Sequence, residues 1–343
     1  MTKLIKKTCL LLTVLPLALF ATEVSTPTKT KDLAIFYTVP ANIENKYNKL
    51  IEEKLPDIGF TCLDPRKRIN DKYKQTWGST ELDVLSFMPI VNNSTILPLL
   101  NIDPRIAGFA PFNLLIHKKL NENTTHVGHL VPEVMLDILG IEDNEVRRKF
   151  SDHFKVLDAA IAQELGVQGK TIPYKKLSEN TMINFEYEFE SPKDMEDFID
   201  EFQMNFEMTF TDKGYMIAGY RNFMKADDAE KILSSYEGFW TYSLCHMEFS
   251  YKIFDTKGAR PELGLFAPCS MYMYIKKGSN KIVGGMPRLK NWSDLLELRD
   301  EKRLKLIEKY DNEIPEILKE YGMKLMPNTN PLSSQTSKLD KQL

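Results

Sequence analysis

Cys245-His246-Met247 and Cys269-Ser270-Met271 are the stretches of this 343-residue chain best equipped for chemistry. Each places a thiol two residues from a thioether. Both are soft donors that suit Cu(I) or zinc, and imidazole adds borderline character. Cys245 falls in an aromatic, apolar run with Trp240, Tyr242 and Leu244 that reads as a strand, and Cys269 opens the next long apolar run. If those strands are neighbours, the sulfurs approach. Two neighbouring thiols in an oxidising compartment have three natural fates: a disulfide, a soft-metal site, or separate burial. The sequence leaves all three open. Side-chain alternation along a strand puts Cys245 and Met247 on one face and His246 on the other. The candidate ligand or metal residues are Cys245, Cys269, Met247 and Met271.

Three arginines are candidate anion contacts. Arg105 and Arg260 flank two Phe-Ala-Pro loops, and Arg288 follows the second of the hairpins described below. A guanidinium there could clamp an anionic ligand. His126 and His129 form His-x-x-His, but the segment reads as a strand or its edge. The rings then diverge and are expected to be exposed loop histidines. Met195, Met204 and Met208 recur at apolar periodic positions and read as core. The chain shows no Cys-x-x-Cys-His for c-type haem, no glycine-rich phosphate loop and no Gly-x-Ser-x-Gly elbow. No carboxylate pair stands out for acid–base work. Catalytic residues are unassigned, whether the chain is an enzyme stays open, and a soft metal such as copper or zinc is the one cofactor class that its residues suggest.

The chain begins with a compartment signal. Lys3, Lys6 and Lys7 precede an uncharged run from Cys9 to Phe20, with Ala21 as the expected cleavage site. That is the tripartite pattern of a secretory signal peptide over 1–21, too short for a membrane span of roughly 20 apolar residues. The expected location is periplasmic or secreted, with no stable membrane span once the signal is cleaved. The formal charge of −3 is spread along the chain, without the clustered basic face that nucleic acid requires. Of four cysteines, Cys9 lies in the signal, which leaves Cys62, Cys245 and Cys269: no disulfide scaffold.

The elements that must position the cysteines come as an internal repeat. Pro104, Phe109, Ala110 and Pro111 fall on Pro261, Phe266, Ala267 and Pro268 without a gap, and each set leads into an apolar strand and a lysine-bearing turn. Upstream, β-rich runs at 33–39 and 182–189 precede helical stripes (Ile43, Tyr47, Leu50, Ile51; Met195, Phe198, Ile199, Phe202, Phe206) that end at Gly59-Phe60 and Gly214-Tyr215. Each unit reads β-α-β-α-β-(turn or helix)-β-β-α, with the Phe-Ala-Pro strand and its successor as an antiparallel hairpin. The fold class is α+β: two repeated units, each a mixed or antiparallel sheet with helices packed on it. The units are placed at 32–142 and 181–298, with a helical connector at 143–180, a C-terminal amphipathic helix at 299–326 broken at Pro315, and a disordered tail at 327–343.

Tyr242-Ser-Leu-Cys245, Leu265-Phe-Ala-Pro268-Cys269 and Val283-Gly-Gly-Met-Pro287 together resemble the domain of unknown function 302 family. Its members carry a strand cysteine, a Leu-Pro-Cys lead into the next strand, and a hairpin closing on proline. They also begin with a helix ending in Gly-Phe, as at Gly59-Phe60. The resemblance puts Cys245 and Cys269 on the family's two cysteine positions and makes the first unit a degenerate copy, its corresponding stretches reading Leu85 to Pro89 and Pro111-Phe112. It implies a sandwich-like α+β fold that pairs as dimers, here a pseudo-dimer within one chain bridged by the connecting helix. It implies little about activity. The function expected is an exported soluble binding or accessory protein with a thiol or metal site in the second unit. The alternatives are a thiol-based enzyme in redox or sulfur chemistry, which needs an exposed thiol of low pKa, and a structural or interaction module. The ligand and any partner are not named by the residues.

Overall fold

The computed structural model describes residues 31–327. The signal segment with Ala21 and the tail from 328 lie outside the described residues.

The first unit opens with β1 (Lys31–Val39). A helical stretch follows, α1 (Glu44–Lys49), a π turn (Leu50–Lys54) and α2 (Leu55–Asp57). Next come β2 (Thr61–Cys62), α3 (Ile69–Trp77), β3 (Leu82–Val91), α4 (Asn93–Ile102) and a 3-10 turn at Pro104–Phe109. The unit closes with β4 (Phe112–Lys119), β5 (Thr125–Leu130), α5 (Pro132–Leu139), α6 (Asn144–Leu165) and β6 (Lys170–Tyr174). The second unit repeats the series: β7 (Met182–Glu188), α7 (Met195–Asp212), β8 (Met216–Asn222), α8 (Ala229–Ile232), β9 (Tyr236–Cys245) and α9 (Met247–Phe254). A 3-10 turn at Pro261–Phe266, β10 (Cys269–Lys276), β11 (Lys281–Pro287), α10 (Lys290–Leu295), α11 (Glu301–Glu320) and β12 (Lys324–Met326) complete it.

Each unit is a six-stranded antiparallel sheet carrying helices. The strand orders, β2-β3-β4-β5-β1-β6 and β8-β9-β10-β11-β7-β12, are the same order repeated. The α+β class, the two units and both hairpins hold. Among the described residues no helix is long and apolar enough to cross a membrane.

The repeat is longer than its sequence pattern suggested. The stretch at 143–180 is not only a helical connector, and 299–326 is not only a helix. In both, a long helix is followed by a strand that joins the unit's own sheet: β6 pairs with β1, and β12 with β7. These edge strands are hard to read in sequence. β6 carries Lys170 and Pro173, features that suit an edge, and β12 has three residues. Nor does α6 bridge the units. Val146, Phe150, Phe154, Leu157, Ile161 and Leu165 recur at helical spacing and bury their stripe against α4, α5 and β1 of the first unit. The Asp143 carboxylate caps it by accepting from the Glu145 and Val146 amides.

On α7, Phe202, Phe206 and Phe210 take the inner face at intervals of four, which leaves Met204 and Met208 exposed and not in the core. The break expected at Pro315 does not occur. Proline deprives the Asp311 carbonyl, four residues back, of its helical donor. The Arg288 guanidinium, paired at 2.8 Å with the Asp311 carboxylate, also donates to that carbonyl at 3.5 Å.

The units hold one another through reciprocal contacts. The 3-10 turn of each lies on the fourth strand of the other, Pro104–Phe109 on β10 and Pro261–Phe266 on β4. The backbone approach is close at Gly264, where an added β-carbon would sit 2.6 Å from the Phe87 ring, and Asn113 Nδ2 donates to the Gly264 carbonyl at 2.7 Å. At one flank α3 meets α9. Trp77 stacks on Tyr251 at 4.4 Å, and Asp255 accepts from Thr80 Oγ1 at 2.7 Å and from the Glu81 amide at 2.7 Å. At the other, α4 meets the α8 segment, with Tyr236 Oη donating to the Leu100 carbonyl at 3.1 Å and Ser235 Oγ to Asn101 Oδ1 at 3.1 Å.

Candidate functional site

A cavity of about 160 Å³ lies between the units, walled by β8, the ends of β9 and β10 and the start of α9 on one side. Residues 63–73 with Phe87, Pro89 and Pro111 wall the other. Its lining is mainly apolar. One water takes about 10–15 Å³ on this scale, so the space suits a small organic molecule.

Cys245, His246, Met247 and Cys269 all reach this wall, and so does Met216, which the sequence reading passed over. Met271 does not. It sits two residues further along β10, fully buried opposite Tyr242. The two cysteines are free. In the register Cys269 pairs with Leu244, so Cys245 is one residue out of step with it. Burial pushes the Cys245 thiol up to about 11, against smaller opposing effects of a hydrogen bond from Ser250 and the nearby Arg66 charge. It raises Cys269 further still, with Cys245 adding to the effect. Cys62 is free and partly buried, also raised to about 11 by burial. Among the described residues no three His, Cys, Asp or Glu side chains gather as a metal-binding group.

His246 caps α9, with Nδ1 accepting from the Phe249 amide at 3.4 Å and Tyr310 Oη 3.3 Å away. Its partner in the first unit is Asn92, which caps α4 by accepting from the Thr95 amide. Beneath each cap is a glycine with positive φ, Gly59 at +84° under Asn92 and Gly214 at +85° under His246. A β-carbon there would press on the capping side chain, besides being strained at that φ.

The remaining strand positions match in register as well. Ile90 pairs with Phe112 as Leu244 pairs with Cys269, and Thr61 with Val91 as Met216 with Cys245. Cys245 therefore corresponds to Val91, beyond the Leu85-to-Pro89 stretch expected from sequence, and Cys269 to Phe112. Arg66 bridges to Phe87 as Arg221 pairs with Thr241. These two arginines line the cavity from opposite units.

The three arginines expected to meet an anion are occupied elsewhere. Arg105 is held by Asp103 at 2.6 Å and donates to the Leu139 and Gly140 carbonyls, Arg260 is paired with Glu262 at 3.2 Å, and Arg288 with Asp311. Each lies within two residues of a carboxylate in sequence or meets one in its own unit, and none lines this cavity. Arg66, exposed, donates across to the Ala218 carbonyl. Arg221 Nη2 donates to Asn93 Oδ1 of the first unit, and its guanidinium lies 4.4 Å over the Phe223 ring. Arg221 Nη1 is buried without a hydrogen-bond partner among the described residues. Burial lowers Arg221 to about 10, which leaves it charged at neutral pH. The signal for these residues was in the sequence: each arginine stands six residues after the Phe60 or Tyr215 that ends its Gly-aromatic turn.

The histidines of the first unit are not exposed loop residues. His129 is fully buried, its Nε2 2.8 Å from the Asp158 carboxylate, while His126 stacks on buried His117 at 4.9 Å. Their odd separation on β5 sends them to opposite faces, as strand alternation demands.

The chain is similar to a solved structure of the domain of unknown function 302. It is described as the crystal structure of uncharacterized conserved protein DUF302 from Bacillus stearothermophilus, with 19% identity and a TM-score of 0.31, the likeness covering 38% of this chain and 95% of that one. The family is the one the sequence resembles. No family model and no curated protein matches the chain.

Proposed function

We propose that this protein is an exported, soluble binding protein that holds one small, largely apolar molecule in the cavity between its two units. The observation that carries the reading is the cavity itself: about 160 Å³, mainly apolar, walled by both units and floored by the cysteine end of the second. Tightly packed interiors rarely leave such space without a use. Export is supported by the N-terminal lysines and apolar run.

Thiol-based enzymology has less support. A nucleophilic or redox thiol is favoured by a depressed pKa, whereas burial raises both Cys245 and Cys269. On this reading the cysteines act as small, soft, apolar wall residues.

Titration with an uncharged apolar fluorophore tests the proposal. The mature protein is expected to bind one equivalent. Thr241→Phe, which installs the Phe87 type of side chain at the matching position, is expected to lose that binding while keeping the unfolding midpoint near wild type. Equal binding by the filled variant would sink the assignment of the cavity. For export, a secreted or periplasmic product beginning at Thr22 is expected, and a cytoplasmic product that keeps Met1 would remove that part.

A further inference from the structure

We infer that the cavity's ligand is an amphipathic monocarboxylate, its apolar body among the cysteine-side residues and its carboxylate on Arg221. The inference rests on the cavity reading and adds the head group to it. Three observations support it.

The first is the orphaned donor. A buried guanidinium N–H without a partner is costly, and arginine normally meets a carboxylate or a carbonyl when it leaves water. Arg221 Nη2 has Asn93, but Nη1 has nothing among the described residues, and no carboxylate there pairs with this side chain. The Arg221 side chain also borders the cavity, and the planar fork of its guanidinium favours a carboxylate lying against it.

The second is the sign of the wall. Its charged side chains are Arg66, Lys72 and Arg221 against the single carboxylate of Asp64. The other titratable groups are His246, which burial holds towards its neutral form, the protonated thiols, and the tyrosines Tyr73 and Tyr220, both raised by burial. The wall is therefore net positive at neutral pH, and an anion enters it with the field.

The third is size and polarity. At about 10–15 Å³ per water, 160 Å³ takes roughly eleven to sixteen waters, or an organic molecule of about ten to fifteen non-hydrogen atoms. A carboxylate with a body of about eight carbons fits. Whether that body is a straight chain or an aromatic ring is a matter of shape within the same chemistry.

The experiment is calorimetric titration of the mature protein with octanoate, 4-ethylbenzoate and octan-1-ol. The expected result is that at least one carboxylate binds about tenfold or more tightly than the alcohol, the yield of a charge-assisted hydrogen bond pair. Octanoate ahead of ethylbenzoate assigns a chain, and the reverse assigns a ring. In Arg221→Met the carboxylate preference is expected to vanish while octan-1-ol still binds, which also shows that the variant is folded. Arg221→Lys is expected to keep part of the preference. Carboxylates no better than the alcohol in the wild type, or a preference that survives Arg221→Met, overturns the head-group inference and leaves the cavity reading standing. Binding of none of the three overturns both.

Discussion

The two units share a strand order, a register, a capped third-strand exit and an arginine at one position, yet only one end of the pair opens onto the cavity through cysteine. In the first unit the place of Cys269 is taken by Phe112. That ring packs 4.6 Å from Phe154 and 6.3 Å from Phe60, and it is buried. The place of Cys245 is taken by Val91, and those of Thr241 and Ser243 by Phe87 and Pro89. Where the first unit uses bulk, the second uses small and weakly polar side chains. The strand order and the register at these positions are the same, so the contrast between the two ends is one of side-chain volume and not of a different fold. Interiors packed near crystal density respond to the loss of even a few methylenes, and subtracting ring volume on one side of a pseudo-twofold pair leaves space on that side.

The largest test of this contrast is at Phe112. Truncation to alanine should cost about 3–5 kcal/mol, because a packed aromatic is lost and its neighbours cannot all close in. Cys269→Ala, at the matching position, should cost no more than about 1 kcal/mol. Denaturant unfolding of the two variants measures both. Equal costs would mean that the two positions are packed alike and that the cavity is not the origin of the difference.

Exchanging the residue types sharpens the point. Cys269→Phe gives the second unit the side chain of the first. The ring should fall into the cavity with less than the roughly 1–3 kcal/mol that overpacking a full core costs. Binding of an uncharged apolar probe should weaken about tenfold or more, roughly 1.4 kcal/mol. A variant that binds as wild type would show that the ligand space lies away from Cys269.

The arginines form a second contrast within the same pair. Arg66 is exposed and hydrogen-bonded, whereas Arg221 carries a buried nitrogen without a partner among the described residues. Arg221→Met should therefore raise ligand-free stability by about 1 kcal/mol, since an unsatisfied buried donor is removed and its apolar stem is kept. Arg66→Met should stay within about 0.5 kcal/mol of wild type. A loss of stability in Arg221→Met larger than in Arg66→Met would mean that the Asn93 and Phe223 contacts outweigh the orphaned nitrogen.

Much of this contrast was written in the sequence, though unevenly. The Phe-Ala-Pro segments announced the repeat and both hairpins because they couple a rare local pattern to a strand. The cysteines announced the site by type. Arg66 and Arg221 were missed because a lone arginine in a loop usually faces solvent, and only their equal spacing from Gly59-Phe60 and Gly214-Tyr215 marks them. Arg105 and Arg260 drew attention by lying beside those segments, but Asp103 and Glu262, two residues away, hold them. β6 and β12 were illegible since an edge strand needs few apolar residues. The reciprocal seating of each 3-10 turn on the other unit's sheet depends on contacts between residues some 150 positions apart, which no local pattern records.

The last contrast concerns the two helix junctions, which differ in charge. Where α4 meets the α8 segment, the contact at Ser235 and Asn101 is neutral. Where α3 meets α9, Asp255 is buried, and burial raises its carboxyl to about 6 in spite of the hydrogen bonds from Thr80 and the backbone amides of Glu81 and Leu82. The folded chain thus holds this proton more tightly than the unfolded chain, whose value is near 4. The stabilisation that goes with the proton is fully present below about pH 4 and is lost as pH rises through about 6. Asp255→Asn keeps an acceptor for Thr80 or Glu81 and does not titrate. Relative to this variant, the wild type should lose stability between pH 4.5 and 7, read as a growing gap between their denaturation midpoints. Asn101→Ala, at the neutral junction, should shift the midpoint by the same amount at both pH values. A wild-type curve parallel to that of Asp255→Asn would mean that the carboxylate is as well solvated at the junction as in the unfolded chain, and the two junctions would then be electrostatically alike.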